Sequence, residues 1–180
     1  MFTKHVLESL AEEAQGTDVV IAEAIEKAKS EEEVEAVVRK SRMFVIQQMS
    51  IAEKIRLSVL GNMGDRNILM RDRNKLVSMA AVKSPKMTEQ EILSIAANKF
   101  LDEEIVGYVA GQRKWVKNYQ VIHRLVCNPK CPSRYAVSFI KLLKPFDLTR
   151  LARDKTVPQS VARLASQVIH SRDSGAKKKH

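Results

Sequence analysis

The chain has 180 residues, 44% of them hydrophobic, which is enough for a packed core and too apolar for general disorder. Aromatics at 5% leave a core of Leu, Ile, Val, Ala and Met, a mixture that suits helices better than sheets; no run of about 18 apolar residues is present, so no transmembrane helix is expected. The net charge of +10 is unevenly placed: residues 1–40 carry five Lys/Arg against ten Asp/Glu, an acidic head on a basic body.

In the head, Val6, Leu7, Leu10 and Ala14 recur at helical spacing. Gly16-Thr17-Asp18 breaks the pattern, and Thr17 or Asp18 suits the cap of a second helix carrying Val20, Ile21, Ala24, Ile25 and Ala28. Ser30 with Glu33 has the spacing of a capping box, and Val34, Val37 and Val38 continue the apolar stripe toward Met43-Phe44-Val45-Ile46. Residues 50–60 read as a further helix with Ile51, Ile55, Val59 and Leu60 inward. Gly61-Asn62-Met63-Gly64 ends it, and Asp65 is expected to cap a short helix through Ile68, Leu69 and Met70. The acidic head is expected to screen the basic body.

From there the chain repeats itself. Aligning 76–97 with 120–141, an offset of 44, lays Pro85 on Pro129, Lys86 on Lys130, Val77 on Val121, Val82 on Val126 and Ser94 on Ser138. Both copies read helix, then Ser84-Pro85 or Asn128-Pro129, then helix, because the residue before proline is pushed out of the α region. A shorter likeness links residues 91–99, 104–112 and 147–155, each with apolar residues at i, i+3 and i+4. Short helices in series with proline at the turns point to stacked helix pairs, since one pair cannot bury its own apolar face.

Val82-Lys83-Ser84-Pro85-Lys86, Val126-Cys127-Asn128-Pro129-Lys130, Leu151-Ala152-Arg153-Asp154 and Val157-Pro158-Gln159-Ser160-Val161-Ala162 resemble HEAT-like and leucine-rich-repeat-variant α-solenoids. The stretch 54–168, roughly two thirds of the chain, also looks like a family of uncharacterised bacterial helical-repeat proteins. The resemblance implies a fold class: all-α, a short α-solenoid of stacked helix pairs with an N-terminal acidic helical segment. The expected parts are the acidic segment 1–49, a repeat domain 50–170 and a disordered basic tail 171–180. The leucine-rich-repeat-variant prototype carries a cysteine-ligated iron–sulfur cluster near its N-terminus. This chain has no cysteine there, so no cofactor is expected.

His123, Cys127 and Cys131 are spaced four and four, but Pro129 interrupts the helix between the cysteines and a fourth ligand is missing, so no metal site is expected. Cys131 stands beside Lys130 and Arg134, where a lowered thiol pKa is conceivable. Gly61-Asn62-Met63-Gly64 has the Gly-x-x-Gly shape of an RNA-gripping loop but lacks the strands that such modules need. No phosphate-binding or hydrolase motif occurs, and no catalytic residue is assigned. The absence of a secretory signal pattern and of a disulfide framework fits a cytoplasmic setting.

The functional lead is basic charge. Arg66, Arg71, Arg73 and Lys75 lie within ten residues, and Arg113-Lys114-Trp115-Val116-Lys117-Asn118-Tyr119 sets two aromatics among three cations. Lys130, Arg134, Lys141, Lys144, Arg150, Arg153 and Lys155 follow. The candidate surface is Arg66, Arg71, Arg73, Lys75, Arg113, Lys114, Trp115, Lys117, Tyr119, Lys130, Arg134, Arg150 and Arg153. Two functions fit it: a non-enzymatic scaffold or adaptor for a protein partner, and a nucleic-acid-binding module whose cations track phosphates while Trp115 or Tyr119 stacks on a base. A third, an alkylpurine DNA glycosylase-like activity, follows by fold analogy alone; it needs a carboxylate in a cleft, and Asp72 and Asp154 are better placed to pair with neighbouring arginines. The Lys177–Lys179 tail adds weak attraction to an anionic membrane.

Overall fold

The computed structural model describes residues 30–177, and these form ten α-helices with no strand among them. In chain order they are α1 (Glu31–Gln48), α2 (Ile51–Leu60), α3 (Met63–Leu69), α4 (Lys75–Val82), α5 (Glu89–Ala97), α6 (Glu103–Gly111), α7 (Tyr119–Cys127), α8 (Ser133–Ile140), α9 (Pro145–Arg153) and α10 (Gln159–Lys177). The chain is all-α over the described residues. The helices expected within 6–28, with Thr17 or Asp18 as a cap, lie outside them. The chain divides into two compact units between Lys54 and Ile55, inside α2, whereas the sequence suggests a boundary at 49.

Short polar side chains start the helices. Ser30 Oγ accepts the Glu33 N–H at 3.3 Å, and Ser50 and Glu53 bond reciprocally at the head of α2. At α3 the cap is Asn62 and not Asp65: Asn62 Oδ1 accepts from the Asp65 N–H at 2.9 Å, while Asp65 reaches back to the Asn62 N–H at 3.2 Å. Thr88 and Glu91 form a second complete capping box, at α5.

The inward face expected for α2 needs correction. Ser58 is fully buried, whereas Ile51, Val59 and Leu60 are exposed. Apolarity identifies side chains that gain from cover, but not the side on which a neighbouring helix arrives. Gly61, just after α2, occupies a close crossing: a Cβ there stands 2.5 Å from the Leu57 carbonyl oxygen and 2.7 Å from Asp65 Oδ2. The first of these is backbone and cannot swing aside. Gly61→Ala is therefore expected to cost about 1–3 kcal/mol by overpacking, read as a lower urea midpoint in circular dichroism. An unchanged midpoint contradicts the crossing.

Beyond α2, helices pack on their chain neighbours and on the helix after next. The pairs are α3 on α4, α5 on α6, α6 on α7, α7 on α8 and α9 on α10, together with α4 on α6, α6 on α8, α8 on α10 and α5 on α7. Side chains bridge the two remaining odd-numbered approaches, Arg66 on α3 to Glu91 on α5 and Tyr119 on α7 to Asp147 on α9. The core between them is aliphatic, with Leu69, Val77, Ile92, Ile105, Val109, Leu125, Ile140 and Leu148 fully buried.

The odd-numbered helices of this unit end on one recurring device. Asp72, Asn98, Asn128 and Asp154 stand 26, 30 and 26 residues apart. Each accepts through Oδ1 from the backbone N–H two residues on, at 2.8, 2.9, 2.9 and 2.7 Å. These are Asx-turns, in which a short side chain imitates the backbone and stops the helix. Three residues before each stands a buried Leu69, Ile95, Leu125 or Leu151; six before stands a buried Arg66, Ile92, Ile122 or Leu148. The structural period is thus two helices, or 26–30 residues. The offset of 44 read from residue identities lays α4 and α5 on α7 and α8, three helices further on.

At the C-terminal end, α10 runs on through Lys177, so residues 171–177, expected as a disordered tail, are helical. Arg172 supplies a reason: its guanidinium donates to the Leu143 carbonyl at 2.9 Å and the Lys141 carbonyl at 2.8 Å, which satisfies the open end of α8.

Candidate binding edge

Alternation of two helix sets places the loops of the second unit on two edges. The loops that lead into α3, α5, α7 and α9 are tied to one another. Lys86 Nζ donates to the Leu60 carbonyl at 3.0 Å, Asn118 Nδ2 donates to Glu89, and the Lys144 N–H donates to the Tyr119 hydroxyl at 3.0 Å. The turns that lead out of the same helices are tied on the other edge, where Asn128 Nδ2 donates to the Ala96 and Asn98 carbonyls, both at 2.9 Å.

The two edges differ in charge. In the first, the loops 83–88, 112–118 and 141–144 carry Lys83, Lys86, Arg113, Lys114, Lys117, Lys141 and Lys144 and no acid, and all seven cations are exposed. Of the acids in the adjoining helix starts, Glu91 is buried and Asp147 half-buried, while Glu89 is exposed. Glu89 holds Asn118, Glu91 holds Arg66 and Thr88, and Asp147 accepts from the Tyr119 hydroxyl with His123 Nε2 at 3.8 Å. The turns of the second edge mix Arg71, Arg73, Lys99, Lys130 and Lys155 with Asp72, Asp102 and Asp154. At the helix starts on that edge, Lys75 and Glu104 approach to 3.5 Å. The first edge therefore has the more uniform positive field.

Aromatic rings of the first edge are already in contact with cations. Lys114 Nζ lies 4.3 Å from the centroid of half-buried Trp115, and Lys144 Nζ lies 5.0 Å from that of Tyr119. Burial first, and then the bond to Asp147, push the Tyr119 phenol above its ordinary range, so its hydroxyl keeps its proton.

The thirteen candidate residues do not form one stripe. Arg113, Lys114, Trp115, Lys117 and Tyr119 belong to the first edge. Arg71, Arg73, Lys75, Lys130, Arg134, Arg150 and Arg153 belong to the second, where Arg134 lies over the Tyr135 ring at 4.8 Å. Arg66 belongs to neither: only 3% exposed, it donates to both Glu91 oxygens at 2.8 and 2.9 Å and to the Gly61 carbonyl at 2.9 Å. Its charge is consumed in the core because a carboxylate 25 residues further on arrives opposite it. Lys83 and Lys86 were not legible as site residues, and Lys141 and Lys144 were visible only as further cations. The signal that unites them is the lack of acids in alternate loops.

The cysteines are not activated. Burial first, and then the Asp154 charge, push the Cys127 thiol up; burial pushes Cys131 up to about 11, against the lowering conceivable beside Lys130 and Arg134. His123 faces Asp147, and among the described residues no three His, Cys, Asp or Glu come together as metal ligands. Asp72 and Asp154 close Asx-turns, and bonds from the Thr156 N–H and hydroxyl hold the Asp154 carboxyl below its ordinary range. Among the described residues no helix is long and apolar enough to cross a membrane. Comparison with family models, with curated proteins and with solved structures finds no match.

Proposed function

We propose that residues 55–177 form a short HEAT-like α-solenoid and serve as a non-enzymatic cytoplasmic scaffold whose first edge holds an acidic face of a protein partner. The packing of most helices on the next, on the next but one, or on both supports the solenoid. The observation that carries the function is charge segregation: seven exposed cations crowd linked loops that contain no acid, and of the acids at the adjoining helix starts Glu91 is buried, Asp147 is half-buried and Glu89 alone is exposed. Such an edge attracts a polyanion by long-range field and by counterion release. A second reading, nucleic-acid binding, is favoured by Trp115, half-exposed with Lys114 on its ring between Arg113 and Lys117.

Fluorescence anisotropy tests both. A labelled polyglutamate peptide and labelled single-stranded DNA and RNA are titrated at about 50 and about 200 mM salt. Peptide binding at the lower salt that weakens about tenfold when Arg113, Lys114 and Lys117 become glutamine supports the scaffold. Oligonucleotide binding that stays sub-micromolar at the higher salt decides for the second reading. No binding of any polyanion at the lower salt sinks both.

A further inference from the structure

We infer that the first edge docks on the surface of an anionic lipid bilayer, with Leu142 and Phe146 entering the interface and the surrounding lysines meeting the headgroups. This rests on the reading of that edge as a polyanion-binding surface and adds, beside the protein partner, a lipid surface on which the scaffold docks.

The observation is a loop in which apolar and cationic side chains alternate in the open. In Lys141-Leu142-Leu143-Lys144-Pro145-Phe146, Leu142 is 59% exposed and Phe146 is 77% exposed, while Leu143 between them is buried. Buried Leu143 anchors the loop from inside. Arg172 grips the carbonyls of Lys141 and Leu143, and the Lys144 N–H is held by Tyr119. The loop is thus fixed with its two apolar side chains outward, next to Lys141 and Lys144. An apolar tip within a cationic collar is the arrangement of interfacial membrane anchors: the tip enters the acyl boundary, and the lysine stems lie along it with their ammonium groups at the headgroups.

The rest of the edge fits the same partner. Six of its seven cations are lysine, the mobile point charge that a fluid array of headgroups satisfies without fixed geometry; the forked guanidinium better suits rigid phosphates. Trp115, half-buried and covered by Lys114, is a residue type common at membrane interfaces. A nucleic acid makes less use of the exposed apolar tip, because Leu142 has no plane on which a base can stack. The other edge is a built-in contrast. Phe100 is 97% exposed there, but between Lys99 and the acids Asp102, Glu103 and Glu104, and Leu76, 68% exposed, follows Lys75, which approaches Glu104 to 3.5 Å.

The test uses the full chain and co-sedimentation with two vesicle preparations, phosphatidylcholine alone and phosphatidylcholine with about a third phosphatidylserine. Binding is expected to the anionic vesicles only. The double substitution Leu142→Ser and Phe146→Ser is expected to lower that partition about tenfold while leaving polyglutamate and oligonucleotide affinities within about twofold. The combined substitutions Lys114→Gln, Lys117→Gln, Lys141→Gln and Lys144→Gln are expected to lower all three. Both apolar side chains are exposed, so the double variant keeps its fold, which a circular dichroism melt checks. Undiminished vesicle binding by the double variant, or equal binding to neutral vesicles, overturns the inference. Binding of peptide or oligonucleotide without vesicles also overturns it but leaves the polyanion reading standing. Failure to bind any of the three removes both.

Discussion

Glu91→Ala is expected to lower the unfolding free energy by about 3–5 kcal/mol, the range for breaking a buried ion pair by removing one partner. The carboxylate takes four donors: Arg66 Nε and Nη2 at 2.8 and 2.9 Å, and the Thr88 N–H and hydroxyl, both at 2.8 Å. Alanine strands the Arg66 guanidinium in the α3–α5 interface and opens the capping box of α5 at the same time. The damage comes from the uncompensated charge, so the double change Arg66→Met with Glu91→Leu is expected to cost less than Glu91→Ala alone. Urea unfolding at neutral pH measures all three chains; a loss below about 1 kcal/mol for Glu91→Ala contradicts the buried pair.

The same carboxylate sets an acid limit. Burial pushes Glu91 up, but the bonds from Arg66 and Thr88 and the Arg66 charge outweigh it, so its folded pKa lies below the ordinary 4.5. A carboxylate depressed on folding contributes stability that is full above its unfolded pKa and is lost as pH falls through the folded value. Melting temperature should therefore drop below about pH 4.5, and Glu91→Ala should flatten that drop.

Asn128→Ala is expected to cost about 2–4 kcal/mol, well above the cost of the same change at Asn98. Both residues close Asx-turns, but Asn128 is buried and also donates to the Ala96 and Asn98 carbonyls at 2.9 Å. Alanine leaves those two acceptors and the Lys130 N–H without their partner. At Asn98 the side chain holds one N–H, that of Phe100, and the expected loss is under about 1 kcal/mol. Asn128→Asp keeps the turn acceptor yet turns a charge toward two carbonyls, and is expected to be no milder than alanine. Chemical denaturation separates the four chains; equal losses at positions 98 and 128 would refute the role given to the Asn128 amide.

Local chemistry made much of the fold legible. Ser30 capping α1 and the breaks at Pro85 and Pro129 depend on residues a few positions apart, so the sequence displays them directly. The repeat was harder. Residue identity gave an offset of 44, although what recurs is a role: an Asx side chain with buried residues three and six before it. Ile92-x-x-Ile95-x-x-Asn98, Ile122-x-x-Leu125-x-x-Asn128 and Leu148-x-x-Leu151-x-x-Asp154 share that pattern with few identities, and the likeness of 91–99 to 147–155 was the visible part of it. Arg66 could not be placed from sequence, because nothing near it announces Glu91. The basic edge was legible as composition but not as geography: Arg113 and Arg150 look equivalent along the chain and lie on opposite edges.

The Asx-turn register also has a kinetic side. Among the described residues, the tertiary hydrogen bonds of the second unit join residues 25 to 32 positions apart, one helix pair's worth of chain. Every such bond closes a loop of nearly the same modest length, and no distant segment must be awaited. A chain with that low, even contact order folds fast for its size, and it can add pairs in the order in which the ribosome releases them. Each pair then finds its template already in place.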